Sequence, residues 1–516
     1  MLRKASAFLI ISLFGLFSTA SVRGVTYEIV IYGGGPQAVS AALTAVSSSP
    51  QADVLMIVPE RQLGSTMTAG RQNLFDLNYH KPSSLPPGLP ADYTGSQGGS
   101  LYRFVKALGA VFAPSEMESY FLREIRASGR IRILYETDIT HADLQENSSS
   151  LKELHFRQIR KDPQNGRYRF SGTAASVQAK VFIDASETGR LLRLTGAEYT
   201  TGREDTGKDQ LQMVATLMYK VKGVDAYAAI APNKTANGVA YSTRGSFQFW
   251  GGREVYTIPE ILAYDKNSPY FRLKAYNAGE DGYSHVGADT SKTPFWMNHM
   301  IIYKVDGRKM WRDRELDNGL YPDSPELDPE EARELAVLEL KKPEYWEMIR
   351  KLPGFANVEP VLENGEPAAG EILYLRETIH ALNKPEAGKA HALTEADVMK
   401  GGQDFYDRRI GVGFYNFDSN TYQKQEALTN PLHEPWYVPY EVLQTPYVDN
   451  LLLPGYAANI DSYSWSAMRV YPNLIMLGDA AGTSAALAAD GRIDLAKPDM
   501  DLLQKELLRH QAILEK

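Results

Sequence analysis

Cysteine is missing from all 516 residues. Its absence excludes disulfides, thiolate metal sites, redox-active dithiols and any cofactor link through sulfur, in whatever compartment the protein resides. Spacings that mark a metal centre, such as HExxH or a carboxylate cage, are missing too, so no metal is expected. Positive charge is not in excess: 55 Lys and Arg against 63 Asp and Glu give a formal net charge of -8. Without clustered basic residues a nucleic-acid partner is disfavoured, because phosphate backbones are held by Lys and Arg. An anionic small molecule stays open. Internal repeats and low-complexity tracts are lacking, and no apolar run beyond the N-terminus is long enough to span a membrane.

The N-terminus has the one long apolar run. "MLRK" carries Arg3 and Lys4, "ASAFLIISLFGLF" follows, and Ser18-Thr19-Ala20 resembles a small-residue cleavage site. Residues 1–24 therefore read as a secretory signal peptide, and the expectation is a secreted, periplasmic or lumenal protein with no stable membrane span after cleavage. Two sequons, at Asn147 and Asn233, matter only in a glycosylating host.

A chain of this length divides into two or three structural units. "YEIVIYGGGPQAVSAALTAV", residues 27–46, reads as a buried strand, a glycine turn and a packed helix. Gly33 and Gly35 allow a tight turn and close approach to a pyrophosphate, whose charge the helix N-terminus stabilises. Ala38 stands at the third glycine position, where alanine is tolerated. "ADVLMIVPE" supplies the next parallel strand, whose end normally carries an acid for ribose hydroxyls. Val58 occupies that place, and Glu60 is the nearest carboxylate.

"LGSTMTAGRQN", residues 63–73, is small and polar enough to pass close to a flat ligand. A helix is expected over residues 115–127, then a strand in "RIRILYETDIT" and two more in "SGTAASVQAKVFIDASETGRLLRLTGAEY", the second running into the turn "DASETG". Residues 206–445 are rich in aromatics and turns and read as an inserted domain. The 30 tyrosines concentrate in the middle and late chain and suit either a sugar or aromatic pocket or plain packing. "NLLLPGYAANI" and "YPNLIMLGDAAGTSAALAA" then restore the strand, glycine turn and small-residue helix of the beginning.

Together "GGGPQA", "LGSTMTAG", "VFIDASETG" with "GAEYTTGRE", and "YPNLIMLGDAAG" resemble the flavoproteins with two dinucleotide-binding domains of the glutathione-reductase fold. More narrowly the chain resembles the FAD-dependent oxidoreductase family that carries an "IDATGDGDLA" type turn and a late "GQAAG" motif. "LRETIHAL", "ALTEADV", "FYNFDSN", "VPYEVLQ" and "VDNLLLPG" match the same pattern, so the resemblance spans nearly the whole mature chain and is weakest over residues 206–370. It implies an α/β fold: a Rossmann-like FAD-binding domain over residues 25–205 and 446–516, with an inserted α+β substrate domain over 206–445.

By that resemblance Gly33, Gly34, Gly35, Pro36, Gln37 and Ala38 lie on the FAD pyrophosphate, and Glu60 lies near the adenosine ribose. Gly64, Ser65, Thr68 and Gly70 wrap the flavin side, while Ile139 and Ala185 add contacts. Asp479 accepts from a ribityl hydroxyl, and Gly478, Ala480, Ala481 and Gly482 open a second helix N-terminus to the ligand. The departures are specific. Ser65 replaces a glycine, Thr188-Gly189-Arg190 replaces an acidic pair, Asp479 replaces Gln, Asn420 replaces His, and Ile379 replaces Arg.

Substrate oxidation at a flavin needs a proton acceptor and a neutral or cationic group near the ring. Arg469, Asp418, Arg71, Tyr415, Arg376 and His80 are the candidates, and Arg376-Glu377 either holds substrate or locks the domains together. The reading is an exported FAD-dependent oxidoreductase that oxidises or reduces a small polar organic molecule by hydride transfer at flavin N5. The alternative is a flavin-binding protein with a lyase, isomerase or binding role. An NAD(P) dehydrogenase leaves "LGDAAG" without a purpose. Substrate, electron acceptor and oligomeric state are not specified by the sequence.

Overall fold

The structure, a computed structural model, describes residues 26–516 except 78, 96, 231–237, 242–245, 283–288, 317, 384–389 and 425–432. The expected signal peptide and the Asn233 sequon lie outside the described residues.

The chain begins with β1 (Thr26–Tyr32), α1 (Pro36–Ser48) and β2 (Val54–Ile57). Next come α2 (Gly99–Leu108), α3 (Pro114–Ser128) and β3 (Ile131–Leu134), then β4 (Thr137–Leu144), β5 (Leu151–Lys161) and β6 (Tyr168–Asp184). The strands form one sheet in the order β3-β2-β1-β6-β5-β4. β1, β2 and β3 run parallel, and the last residues of β6 join them, Tyr32 opposite Asp184. β1, β2 and the end of β6 are buried almost throughout, as a parallel sheet covered on both faces requires. The first half of β6 instead pairs antiparallel with β5. This 17-residue strand replaces the two expected, because its small residues carry no turn signal strong enough to break it. β1 sits between β2 and β6, so the strand order reverses at its carboxyl end and leaves the crevice in which open α/β sheets bind ligands.

The second unit is a six-stranded sheet, antiparallel throughout. Its order is Glu359–Pro360, Ala215–Lys222, Phe295–Ile302, Phe271–Glu280, Phe247–Gly251 and Gly238–Tyr241. The helix Pro329–Leu340, N-capped by Asp328, and the helix Pro343–Ile349 follow. Tyr219, Tyr345 and Trp346 meet edge-on in this unit, with Tyr345 donating to Tyr219 at 3.0 Å, so several of the tyrosines are packing groups. Contact with the first unit resumes before residue 446: Ile379–Ala381 pairs with Tyr199–Thr201, and a hairpin of Arg409–Gly413 and Trp436–Pro439 packs beside the late helix. Leu451–Leu452 then adds a parallel strand against β6.

The late motif departs most from expectation. "YPNLIMLGDAAGTSAALAA" is a single helix, Tyr471–Ala489, with no strand or turn before the glycine. All but one of its 19 residues are buried. A segment apolar all round lacks the periodicity that separates a buried helix from a buried strand. Among the described residues no helix is long and apolar enough to cross a membrane.

Candidate functional site

The glycine turn leaves β1 at Tyr32. Gly33 takes φ 117°, and a Cβ there would lie 2.8 Å from the Ala185 carbonyl, so this turn requires glycine. Gly35 is the N-cap of α1 with no side-chain cap, and Pro36 occupies the first turn, which leaves the helix N-terminus open to an anion. Ala38 is fully buried. Gln37 Nε2 donates to Ala185 O at 2.8 Å and ties the turn to the "DASETG" loop, while its Oε1 is buried without a partner. Val58 packs beneath Gly34, and Glu60 Oε2 lies 3.6 Å from the position of a Gly34 Cβ. Glu60, three residues past the end of β2, therefore flanks the turn, and Val58 forms its floor.

A cavity of about 130 Å³ opens here, lined among others by Tyr32, Gly33, Glu60, Thr66, Glu187 and Arg312. Ser65 Oγ donates to Glu60 Oε1 at 3.3 Å, whereas Glu60 Oε2 and Glu187 Oε1 are buried without partners. Burial first, and the neighbouring Glu60 second, push the Glu187 carboxyl up to about 8. Glu187 thus keeps its proton at neutral pH and offers an O–H to a phosphate or hydroxyl. FAD affinity is expected to fall as pH rises through about 8, when a Glu187 charge would repel the diphosphate, and Glu187→Gln should remove that fall. Fluorimetric FAD titration on either side of that pH checks it.

The loop over residues 63–70 is locked onto the turn by Gly64 N to Gly34 O at 2.7 Å. Ser65, where the family has glycine, holds φ 42°, a left-handed conformation costly for a residue with a Cβ. Thr68 does not offer its hydroxyl to a ligand, because Oγ1 donates to Leu63 O at 2.7 Å; Thr66 lines the cavity instead. Gly70 serves close packing, since its Cβ would meet Thr66 O at 2.5 Å. Ile139 is also corrected: it is fully buried in the core with Val30 and Phe182, and Ile159 is the isoleucine that lines the cavity.

"LGDAAG" has a different role from the one expected. A Cβ on Gly478 would lie 2.1 Å from Ser40 Oγ, and one on Gly482 would lie 2.1 Å from Ala41 O, so both glycines let this helix cross α1 closely. Ala480 and Ala481 are fully buried core residues. Asp479 accepts from Ser100 N at 2.8 Å and from Ser100 Oγ, holding the start of α2 rather than a ribityl hydroxyl. The second helix N-terminus lies seven residues upstream of Gly478, at Tyr471, with N-cap Val470 and no side-chain cap.

Beside that N-terminus a polar cluster forms between the two units. Arg469 donates to Tyr374 Oη at 2.9 Å and to Asp418 Oδ2 at 3.0 Å, so the two candidates pair with each other. Arg376 Nη1 donates to Val214 O at 2.7 Å and its guanidinium lies over the Tyr374 ring at 4.7 Å. Glu377 turns away, accepting from Met213 N at 2.8 Å and meeting His380 at 2.9 Å, so Arg376 and Glu377 do not form an ion pair. Tyr415 belongs to the cluster: burial first, then Asp76 and Asp418, raise its phenol well above the usual range. Two members carry no sequence signal. Lys274, on Phe271–Glu280, reaches Asn420 Oδ1 at 3.4 Å, and Asp76 has its carboxyl pushed up to about 6 by burial and then by Asp418.

Two candidates are elsewhere. Arg71 stands 3.9 Å from Glu371 and over Trp296 at 5.5 Å, which is an ion-pair and stacking role. His80 packs on Phe414 at 5.4 Å, because the Tyr79–Gly95 bridge carries it away from the cluster.

The residues fit FAD. The cradle is one that a Cβ would fill, an open helix N-terminus faces it, and Gln37 Oε1, Glu60 Oε2 and Glu187 Oε1 are buried polar atoms awaiting partners. No curated protein sequence matches this one. Among solved structures it is similar to the myxobacterial chondrochloren halogenase CndH, at 11% identity and TM-score 0.36, over 93% of this chain and 78% of that one. It is also similar to p-nitrophenol 4-monooxygenase PnpA from Pseudomonas putida, at 11% identity and TM-score 0.28, over 65% of this chain and 66% of that one. The sequence profile of the FAD-dependent oxidoreductases matches residues 28–507, and the chain belongs to that family.

Proposed function

We propose that the protein moves a hydride between a small polar organic molecule and N5 of FAD. The observation that carries this reading is the cluster of Asp76, Lys274, Arg376, Tyr415, Asp418 and Arg469 beside the Tyr471 helix terminus, in which Arg376 and Arg469 are buried and the other four half-buried. FAD, when bound, supplies the two-electron chemistry, and the protein supplies placement and charge. Asp76 is suited to hold the proton that leaves a hydroxyl or amine as hydride departs from carbon, since its carboxyl titrates at about 6. Arg469 and Asp418 fix each other and frame the site. The apolar leader supports an exported location for this chemistry.

Anaerobic mixing with sugars, alcohols, amines and acids should bleach the flavin for one class, with a rate that falls as Asp76 is protonated below about pH 6. A flavin that dithionite reduces but no substrate class bleaches would contradict the redox reading and favour a non-redox role.

A further inference from the structure

The cluster has an imbalance of charge that its own residues do not resolve. Arg376 is 1% exposed, its Nε is buried without a partner, and it forms no ion pair with a described carboxylate. An unpaired buried guanidinium is costly, because a charge taken out of water needs a partner to replace its hydration. The Lys274 ammonium lacks an ion-pair partner as well: its one hydrogen bond among the described residues is the long contact to Asn420 at 3.4 Å. The Asp418 carboxylate is already taken, by Arg469 at 3.0 Å and by Asn420 Nδ2 at 2.6 Å. Asn420 holds φ 52° in this loop.

We infer that Arg376 and Lys274 form a carboxylate-binding subsite, and that the substrate of the proposed reaction is a small organic acid. The inference rests on the proposed location of the substrate between the units. Tyr374, which stacks under Arg376, is fixed to the second sheet through Thr216 N to Tyr374 O at 3.0 Å, so the guanidinium is held in place before any ligand arrives. Lys274 comes from the second unit and Arg376 from the segment that rejoins the first, so an acid bound by both would bridge the two. Burial first, and Arg376 second, lower the Lys274 ammonium to about 7, while Asp418 and Asp76 oppose and Arg469 reinforces the fall. Binding should therefore weaken as pH rises through that value.

The test is calorimetric titration of the FAD-loaded protein with acetate and with its neutral twin, acetamide. Acetate should bind saturably at about pH 6 and acetamide at least tenfold more weakly, since a charge-assisted pair is about twice as strong as a neutral one. Lys274→Met should weaken acetate about tenfold, and Lys274→Arg should restore it and remove the loss above about pH 7. Equal binding of the two probes, no acetate binding, or an unchanged acetate affinity in Lys274→Met would overturn the inference. Calorimetry does not depend on flavin reduction. A protein that binds acetate but is reduced by no acid keeps the subsite and loses the redox reading.

Discussion

Replacing Asp138 by alanine is expected to destabilise the folded protein by about 3–5 kcal/mol, the loss typical of removing one partner from a buried ion pair. Asp138 is fully buried on β4 and accepts from Tyr32 Oη at 2.8 Å and from Arg312, with Arg190 Nε at 3.2 Å. Arg190, also fully buried, donates to Asp313 Oδ1 at 2.6 Å. Arg312 and Asp313 lie between the Phe295–Ile302 and Glu359–Pro360 strands of the second sheet in sequence, while Tyr32, Asp138 and Arg190 belong to the first unit, so this network fastens one to the other. Without Asp138, Arg190 would keep only Asp313 and Arg312 would lose its carboxylate partner.

The loss would be a large part of a typical total of about 5–15 kcal/mol, and a fall in the urea midpoint followed by tryptophan fluorescence measures it. Burial pushes the Asp138 carboxyl up, but Arg190 and Arg312 prevail and hold it below its ordinary 3.8. The stabilisation is therefore fully present above that unfolded value and is lost as pH falls below it. In Asp138→Asn this part of the acid sensitivity should disappear.

The second large effect separates the two glycine motifs. Gly35 has φ -66°, which any residue adopts, and a Cβ there would meet the movable end of Gln37 at 2.6 Å. Gly35→Val should fold, but its methyls would stand where the α1 amides face the pyrophosphate. Loss of one or two charge-assisted hydrogen bonds, about 3 kcal/mol, corresponds to FAD binding weaker on the order of 100-fold. Gly478→Val is expected to behave in the opposite way, because its Cβ would lie 2.1 Å from Ser40 Oγ and 2.3 Å from Gln37 O at the crossing with α1. It should lower the unfolding midpoint and the yield of folded protein. Near-UV circular dichroism and FAD titration of both variants check the pair; equal midpoints with equal loss of FAD would contradict these assignments.

What was legible in the sequence depended on how local the signal was. The β1 turn is specified by consecutive residues, so strand, turn and helix were all readable, and the structure sets Glu60 beside that turn with Val58 as its floor. The small-residue second half of the helix Tyr471–Ala489 was readable, but its first half read as a strand, because burial on every side erases the period that distinguishes the two. Its glycines looked like a ligand turn and are helix contacts. The cluster was half visible: Arg376, Asp418, Tyr415 and Arg469 sit in family motifs, while Lys274 and Asp76 join only when the second sheet is laid against the first. Arg190 first registered only as part of a departure from an acidic pair, and its meaning lies in Asp138 and Asp313, which are distant in sequence.

The most direct test of the account is the flavin content of the purified protein after incubation with FAD. Visible flavin absorbance that stays with the protein through gel filtration, and an equimolar amount of FAD released on denaturation, is the expected result. A folded protein that retains no FAD when it is offered, and whose Gly35→Val variant titrates with FAD no differently, would contradict the central claim that the β1 turn and the α1 N-terminus hold FAD.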